Sequence, residues 1–310
     1  TINGTFRSET LNGGDGSDAL FGGAGKDNFY SGKGDNYIDG GVVTDHLYYA
    51  DNNFVSYINN DQSVTVNLSG ITGDGSAGFG AVSNAYVVGG GTDTLVNINA
   101  ISGSNFADTI LGSTALIQET FHGRGGNDTS DGGVITDTLN QANENRISYQ
   151  YATGAVTVNL ATGIASGADG TDILYNFNMV RGSVYSDTIH GSDSLLTPDI
   201  TEVFEGMGGN DTIDGGGGFD MVNYKFNANT GVNVNLATGV VSNDGQGGVD
   251  TLINIEGVQG TVFDDVLTGG NVNNGTSVWD YEDSKQEWFR GDAGNDTIDG
   301  GQGYDRADYQ

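Results

Sequence analysis

The sequence predicts an all-β solenoid in which short strands alternate with glycine-rich turns and stack on one another. Three observations lead to this prediction: a nine-residue repeat, a longer repeat of about 80 residues, and 54 glycines among the 310 residues. Repeats with a fixed period indicate similar structural units that bury a shared core by stacking. The chain has no run of 18 apolar residues, so membrane insertion is not expected.

The nine-residue repeat has the form G-G-x-G-x-D-x-U-x, in which U is a large apolar residue. Four copies follow one another without a break, at residues 13–21, 22–30, 31–39 and 40–48. The apolar position holds Leu20, Phe29, Ile38 and Leu47. Each copy therefore predicts a glycine-rich turn followed by a three-residue strand with one inward side chain.

The longer repeat divides the chain into four predicted units, at residues 1–112, 113–192, 193–270 and 271–310. Three inserts interrupt the nonapeptides, at residues 113–120, 192–203 and 271–288. We expect each insert to replace one rung of the solenoid. Because the fourth unit stops before its next strand, we also expect the natural polypeptide to continue beyond Gln310.

The charge is strongly acidic, with 41 Asp and Glu residues against 10 Lys and Arg residues and a net charge of −31. Nucleic acids and anionic membranes require basic contact surfaces, so neither is an expected partner. Cysteine is absent, which excludes disulfides and thiolate metal sites. With only 35% hydrophobic residues, the chain needs a partner that neutralises its carboxylates before it can become compact.

Calcium is the ion that suits these turns. Glycines with positive φ can place several carbonyl oxygens on one side of a turn, and Ca²⁺ takes 6–8 oxygen ligands. One turn supplies too few, so we expect two stacked turns to share a site. Successive nonapeptides alternate between two edges, which makes partners 18 residues apart. The predicted pairs are Asp18 with Asn36, Asp27 with Asp45, 103–108 with 123–128, 182–187 with 206–211, and 260–265 with 291–296.

The candidate calcium ligands are the last residue of each turn and, in six turns, the leading glycine. They are Asp18, Asp27, Asn36, Asp45, Asp108, Asp128, Asp137, Asp187, Asp211, Asp220, Asp265, Asp296, Asp305, Gly13, Gly22, Gly40, Gly123, Gly206 and Gly291. Three of these aspartates, Asp137, Asp220 and Asp305, are expected on the opposite edge without an assignable partner. A further set departs from the 18-residue spacing: Asp93, Asp172 and Asp250. The recurring Glu119, Glu202 and Glu287 are either auxiliary calcium ligands or acceptors for backbone N–H groups.

The consecutive nonapeptides of residues 13–30 and the recurring GGNDTIDGG resemble the RTX, or haemolysin-type, calcium-binding repeats over nearly the whole chain. The longer pattern is similar to tandem arrays in very large bacterial exoproteins. This resemblance implies a right-handed parallel β-roll, or β-helix solenoid, with several Ca²⁺ ions bound in the turns. It also implies type I secretion, with an export signal outside this sequence, and folding on contact with extracellular calcium.

The expected function is a structural or adhesive spacer of a secreted or cell-surface protein. The alternative is a calcium-dependent accessory module of a secreted polysaccharide lyase or epimerase. No catalytic residues are expected, because His46, His122 and His190 fall at positions that do not repeat. Expected partners are surface glycans or other repeats of the array. Trp279 and Trp288 in the last insert are either glycan-binding residues or part of an ordered surface loop.

Overall fold

A computed structural model describes residues 1–41, 52–68, 83–87, 91–114, 117–135, 144–192, 201–270, 287–303 and 305–309. Every regular element in these ranges is a β-strand, and most strand pairs are parallel. The predicted all-β, parallel architecture is confirmed. The described residues contain no helix that is long and apolar enough to cross a membrane.

Thirty strands alternate with turns along the described chain. The first fifteen are β1 (Ile2–Asn3), β2 (Thr10–Asn12), β3 (Ala19–Phe21), β4 (Asn28–Tyr30), β5 (Tyr37–Asp39), β6 (Phe54–Ser56), β7 (Val64–Asn67), β8 (Ser83–Val87), β9 (Gly91–Val96), β10 (Ala100–Ser102), β11 (Thr109–Leu111), β12 (Glu119–His122), β13 (Thr129–Asp131), β14 (Asn145–Ser148) and β15 (Val156–Asn159). The others are β16 (Ile164–Gly167), β17 (Gly170–Tyr175), β18 (Met179–Arg181), β19 (Thr188–His190), β20 (Glu202–Glu205), β21 (Thr212–Asp214), β22 (Asp220–Asn223), β23 (Asn233–Asn235), β24 (Val240–Asn243), β25 (Asp250–Ile253), β26 (Gly257–Gln259), β27 (Val266–Thr268), β28 (Trp288–Arg290), β29 (Thr297–Asp299) and β30 (Arg306–Asp308).

The strands belong to two compact units. The N-terminal unit comprises Thr1–Ser148 and Asp169–Phe177, and the C-terminal unit comprises Tyr149–Ala168 and Asn178–Gln310. The four-unit division that the long repeat predicts is not tested by this grouping and stays a prediction.

Within each unit the chain passes between two sheets. In the N-terminal unit, the parallel sheet has the order β2-β4-β6-β10-β12-β14. The mixed sheet has the order β1-β3-β5-β9-β8-β7-β11-β13-β17, in which β8 is antiparallel to both of its neighbours. In the C-terminal unit, the corresponding orders are β18-β20-β22-β26-β28-β30 and β16-β15-β19-β21-β25-β24-β23-β27-β29.

The core is a stack of single apolar side chains, one from the middle of most three-residue strands. Strand β3, for example, buries Leu20 completely while both neighbouring side chains are partly exposed. This alternation follows from the two-residue period of a β-strand. Because so few apolar atoms are buried per rung, hydrophobic burial alone offsets little of the entropy of ordering the glycine-rich turns.

The described strands on either side of each insert keep their alternation between the two sheets. Strand β11 lies in the mixed sheet, β12 in the parallel sheet and β13 in the mixed sheet again, so no rung is skipped across residues 112–119. The same alternation holds for β19, β20 and β21, and for β27, β28 and β29. Glu119 and Phe121 therefore take the positions of D and U in an extended nonapeptide.

Candidate metal sites

The turns place carboxylate and carbonyl oxygens from adjacent rungs at the same point. In the first turn, Gly14 and Gly16 have φ of 84° and 108°, angles that glycine adopts without a Cβ clash. In the turn of residues 103–108, a Cβ atom added to the leading glycine, Gly103, would contact Asp108 Oδ2 of the same turn. It would also lie 2.7 Å from the Gly123 carbonyl oxygen of the next rung. Only a residue without a side chain leaves this space open, and its oxygen lining suits a hard cation.

The same oxygen-lined space recurs at the leading glycines of other candidate turns. A Cβ atom would contact the Oδ2 atom of the turn's own aspartate at Gly13, Gly22, Gly123, Gly182, Gly206, Gly260 and Gly291. Gly40 differs, because its open side faces Asn97 O and the side chain of Asn53. The residues present therefore fit Ca²⁺ in the aspartate-ended turns, although their ligand roles stay predictions.

Along the mixed sheet, the last residues of successive turns form a hydrogen-bonded column. The backbone N–H of Asp108 donates to Asp128 Oδ1 at 2.8 Å, and that of Asp128 donates to Asp172 Oδ1 at 3.0 Å. Asp18, Asn36 and Asp93 form an equivalent group. In the C-terminal unit, Asp187, Asp211 and Asp250 do the same, as do Asp265 and Asp296. The paired turns of this column are thus stacked on one another, and each group of three gains an aspartate from the G-T-D or G-V-D strand. That the paired turns share a calcium ion stays a prediction.

These carboxylates are buried close to one another. Asp128 is 1% exposed, and its Oδ2 atom has no hydrogen-bond partner. Burial raises the pKa of Asp128 to about 8, and the neighbouring carboxylates of Asp172 and Asp108 contribute to the rise. Burial likewise raises the pKa of Asp211 to about 8, with contributions from Asp250, Asp187 and Asp244. A bound cation would favour the ionised forms of these groups.

The parallel sheet carries a second column, formed by the residue in register just before or at the start of each strand. In the N-terminal unit it reads Glu9, Asp27, Asn53, Asn99, Glu119 and Asn145. In the C-terminal unit it reads Asn178, Glu202, Asp220, Glu256, Glu287 and Asp305. This column supplies the neighbours that the sequence did not assign to Asp220 and Asp305.

The predicted partnership of Asp27 with Asp45 stays a prediction, although a Cβ atom on Gly22 would lie 2.8 Å from the Gly40 carbonyl oxygen, so the starts of the two turns are stacked. The rung that follows Asp27 is that of Asn53, whose Oδ1 atom accepts the Asp27 N–H at 3.2 Å. Asp45 itself lies outside the described residues, as does Asp137, and Asn145 takes the corresponding place after Glu119. In the sequence, Asp45 and Asp137 end G-G-V-[VI]-T-D segments, which have a β-branched residue where other nonapeptides have their third glycine. Such a residue disfavours the positive φ of that position.

The recurring glutamates bind backbone N–H groups. Glu119 Oε2 accepts the Ser113 N–H at 2.8 Å, Glu202 Oε2 accepts the Ser192 N–H at 2.8 Å, and Glu287 accepts the Gly270 N–H at 2.9 Å. Sequence reasoning missed Asn99, Asn178 and Glu256, although the N-[IF]-[NE] element that contains them recurs in each unit. It also missed Tyr57 and Tyr224, whose buried hydroxyls donate to Asp93 and Asp250 and link the two sheets of a unit.

Among the described residues, no three His, Cys, Asp or Glu side chains are grouped so that they could hold a metal ion on their own. A cation in these turns must therefore draw on backbone carbonyl oxygens as well, as Ca²⁺ commonly does. His122 is buried, and its ring approaches Phe54 edge-on and Ser148 O through Nδ1, whereas His46 lies outside the described residues.

The fold and the turns together define a calcium-binding β-roll. Compared with family models, the chain matches the RTX calcium-binding nonapeptide repeat (4 copies) at residues 3–47, 202–223 and 287–307. The chain therefore carries RTX calcium-binding repeats. A search of curated proteins finds no match.

Asp128→Asn tests the mixed-sheet column, because the amide keeps an acceptor for the Asp108 N–H but removes the charge. We expect the calcium concentration at half-saturation to rise by at least about tenfold, or about 1.4 kcal/mol. In the absence of calcium the same variant should be more stable than the wild type, since it no longer buries a carboxylate. Calorimetric titration measures the first effect, and the β content of the calcium-free chain, recorded by far-ultraviolet circular dichroism, measures the second.

The matched control is Asp61→Asn, which removes the same charge from an exposed side chain paired with Lys33. Exposed pairs contribute little, so both quantities should stay close to the wild type. Equal calcium affinity in Asp128→Asn and Asp61→Asn would contradict a ligand role for Asp128.

Proposed function

We propose that this chain is a calcium-stiffened spacer of a secreted or cell-surface bacterial protein, with a structural or adhesive role. The observation that supports this function most strongly is the periodic placement of buried carboxylates. The groups Asp108–Asp128–Asp172 and Asp187–Asp211–Asp250 have the same register and the same backbone contacts. An active site normally breaks such a repeat, whereas a load-bearing array uses it.

The repeat also gives a reason for folding outside the cell. Without a cation, closely spaced buried carboxylates oppose the folded state. Low intracellular calcium would keep the chain unfolded for export through a type I apparatus, and extracellular calcium would then drive folding. The same buried carboxylates would thus keep the chain unfolded during export and allow it to fold in extracellular calcium.

Single-molecule stretching tests the spacer role. The chain is pulled from its two ends in calcium and then in chelator. In calcium we expect sawtooth unfolding with defined force peaks, because ions tie adjacent rungs together. In chelator we expect the smooth extension of an unfolded polypeptide. Force peaks of equal height in both solutions would argue against a calcium-stiffened spacer.

A second candidate, an accessory module for polysaccharides, has support from exposed aromatic rings. Phe106, Tyr185 and Phe263 occupy the same position in equivalent turns and are 44%, 45% and 39% exposed. Aromatic faces and tips of this kind commonly serve recognition. Incubation of the calcium-loaded chain with alginate and pectin should give neither new reducing ends nor unsaturated products. Binding that is lost in Phe106→Ala, Tyr185→Ala and Phe263→Ala would favour the accessory role over a spacer.

A further inference from the structure

Three turns end in an aspartate whose carboxylate is closed by the second residue of the same turn. They read G-[ST]-x-[FY]-x-D and lie at residues 103–108, 182–187 and 260–265. Ser104 donates its backbone N–H to Asp108 Oδ2 at 2.6 Å and its hydroxyl to Asp108 Oδ1 at 2.8 Å. The same two hydrogen bonds, here called the Ser/Thr–Asp clasp, join Ser183 to Asp187 and Thr261 to Asp265.

A further contact fixes the direction of the hydroxyl hydrogen in the clasp. Ser104 Oγ accepts the Phe106 N–H at 3.1 Å, and Thr261 Oγ1 accepts the Phe263 N–H at 3.0 Å. An ionised carboxylate can only accept hydrogen bonds, so the hydroxyl donates its own hydrogen to the aspartate. Ser104 and Thr261 are fully buried, and solvent therefore does not compete for these bonds.

The clasped aspartates have fewer open acceptor positions than the aspartates that follow them. An ionised carboxylate offers about four such positions. Asp108 fills three of them, because its Oδ1 also accepts the Val64 N–H at 2.7 Å. Asp128, on the next rung, accepts the Asp108 N–H with Oδ1, and its Oδ2 has no hydrogen-bond partner. Asp187 and Asp211 show the same contrast.

The second residue of the turn accounts for this difference. In the turns that end at Asp128 and Asp211 it is Arg124 or Met207, with φ of 79° and 74°. The first nonapeptides have glycine with positive φ at this position, as at Gly14. The clasp residues do not adopt positive φ, which a β-branched residue such as threonine disfavours, and their N–H groups point to the carboxylate. Local sequence thus determines which carboxylates are closed.

Each clasp lies at the same place in the mixed-sheet column. On one side of the clasped aspartate, the column residue is a valine whose N–H donates to Oδ1: Val64, Val156 or Val232. On the other side, the column residue is an aspartate whose Oδ1 accepts the N–H of the clasped residue: Asp128, Asp211 or Asp296. The clasp therefore stands where a run of stacked aspartates begins.

We propose that the Ser/Thr–Asp clasp is a metal-free cap, which satisfies Asp108, Asp187 and Asp265 in place of Ca²⁺ and begins each run of calcium-binding turns. A cation beside a clasped carboxylate would lie next to an N–H and an O–H hydrogen, which both carry partial positive charge. Calcium therefore does not fit these three carboxylates, and they leave the set of predicted ligands. An ion shared by two paired turns takes its carboxylate from the second turn, and the Gly123 carbonyl oxygen beside Gly103 remains available to it. The proposal rests on the calcium-binding function.

The test counts bound calcium per chain by equilibrium dialysis with elemental analysis, in the full chain. Asp187→Asn and Asp211→Asn are matched variants, because both aspartates are buried, lie on adjacent rungs and accept a backbone N–H with Oδ1. Asp211→Asn is expected to lose one ion, whereas Asp187→Asn should keep the wild-type number, as should Asp61→Asn. Equal numbers of ions in Asp187→Asn and Asp211→Asn would overturn the proposal.

Ser183→Ala tests the clasp itself, because it removes the hydroxyl and leaves the carboxylate in place. The thermal midpoint in saturating calcium should fall, since Asp187 loses a buried hydrogen bond, while the number of bound ions stays the same. A wild-type midpoint, or the loss of an ion, would contradict the clasp.

A further measurement does not depend on how the variants fold. Wild-type crystals grown with calcium should show an anomalous peak at about 2.3–2.6 Å from Asp211 Oδ2 and none at this distance from either carboxylate oxygen of Asp187. A peak beside Asp187 would overturn the metal-free cap and leave the general calcium function intact. A chain that binds no calcium at all would refute both.

Discussion

In chelator at about pH 8, the chain is expected to lose most of its β structure, and calcium is expected to restore it. Each site filled at about 1,000 times its dissociation constant adds about 4 kcal/mol to stability, against a typical total of about 5–15 kcal/mol. Removing several ions should therefore unfold the chain completely. Far-ultraviolet circular dichroism, recorded during a calcium titration from chelator, measures the transition.

Magnesium at equal ionic strength is the control for simple charge screening. Mg²⁺ requires near-ideal octahedral geometry and keeps much of its water shell, so turns built from fixed carbonyl oxygens should respond to it weakly. A full β spectrum in chelator that does not change on addition of calcium would refute calcium-driven folding. Equal refolding by magnesium would show that screening is sufficient.

Lowering the pH of the metal-free chain is expected to restore part of the stability that calcium binding would provide. Burial raises the pKa of Asp128 and Asp211 to about 8 and that of Asp220 to about 9, whereas an unfolded aspartate titrates near about 3.9. Between these values the folded state holds protons that the unfolded state has lost, so stability falls as pH rises. The metal-free chain should thus be most stable below about pH 4 and least stable above about pH 9.

The expected size is large, because one pKa unit corresponds to about 1.4 kcal/mol and several carboxyls shift together. Far-ultraviolet circular dichroism of the metal-free chain at about pH 5 and about pH 8 measures the difference as β structure that is regained at the lower pH. Asp128→Asn should reduce this pH dependence, and Asp61→Asn should not. Metal-free stability that increases between these pH values would contradict the raised pKa values of the buried carboxylates.

The sequence predicted the rung itself well. The inward residues Leu20, Phe29 and Ile38 are fully buried as expected, because a strict nine-residue period leaves one apolar position per strand. The pairing of Asp18 with Asn36 followed from the same period. Spacing did not predict Asn53, which lies in the rung after Asp27 in the parallel sheet, because the nine-residue period breaks between the two residues.

The antiparallel strands of the mixed sheets were not predicted from the sequence either. Strands β8, β16 and β24 form hairpins within the mixed sheets. Asp93, Asp172 and Asp250 lie in register with the last residues of the neighbouring turns. The register of a hairpin depends on its turn geometry and its partner strands, so spacing along the sequence does not predict it. Residues that looked misplaced by spacing are therefore buried members of the carboxylate column.

By itself, the sequence determined the all-β class, the alternation of turns between two edges and the calcium-binding character of the turns, because these depend on local period and charge. Only the tertiary structure decided which residues share a column. Stacking places Glu202 beside Asp220 and Glu119 beside Asn145, although the two glutamates end similar extended turns. Whether a carboxylate faces another carboxylate or an amide depends on the residue in the neighbouring rung. Because the number of residues between rungs varies, a fixed sequence spacing does not predict that residue.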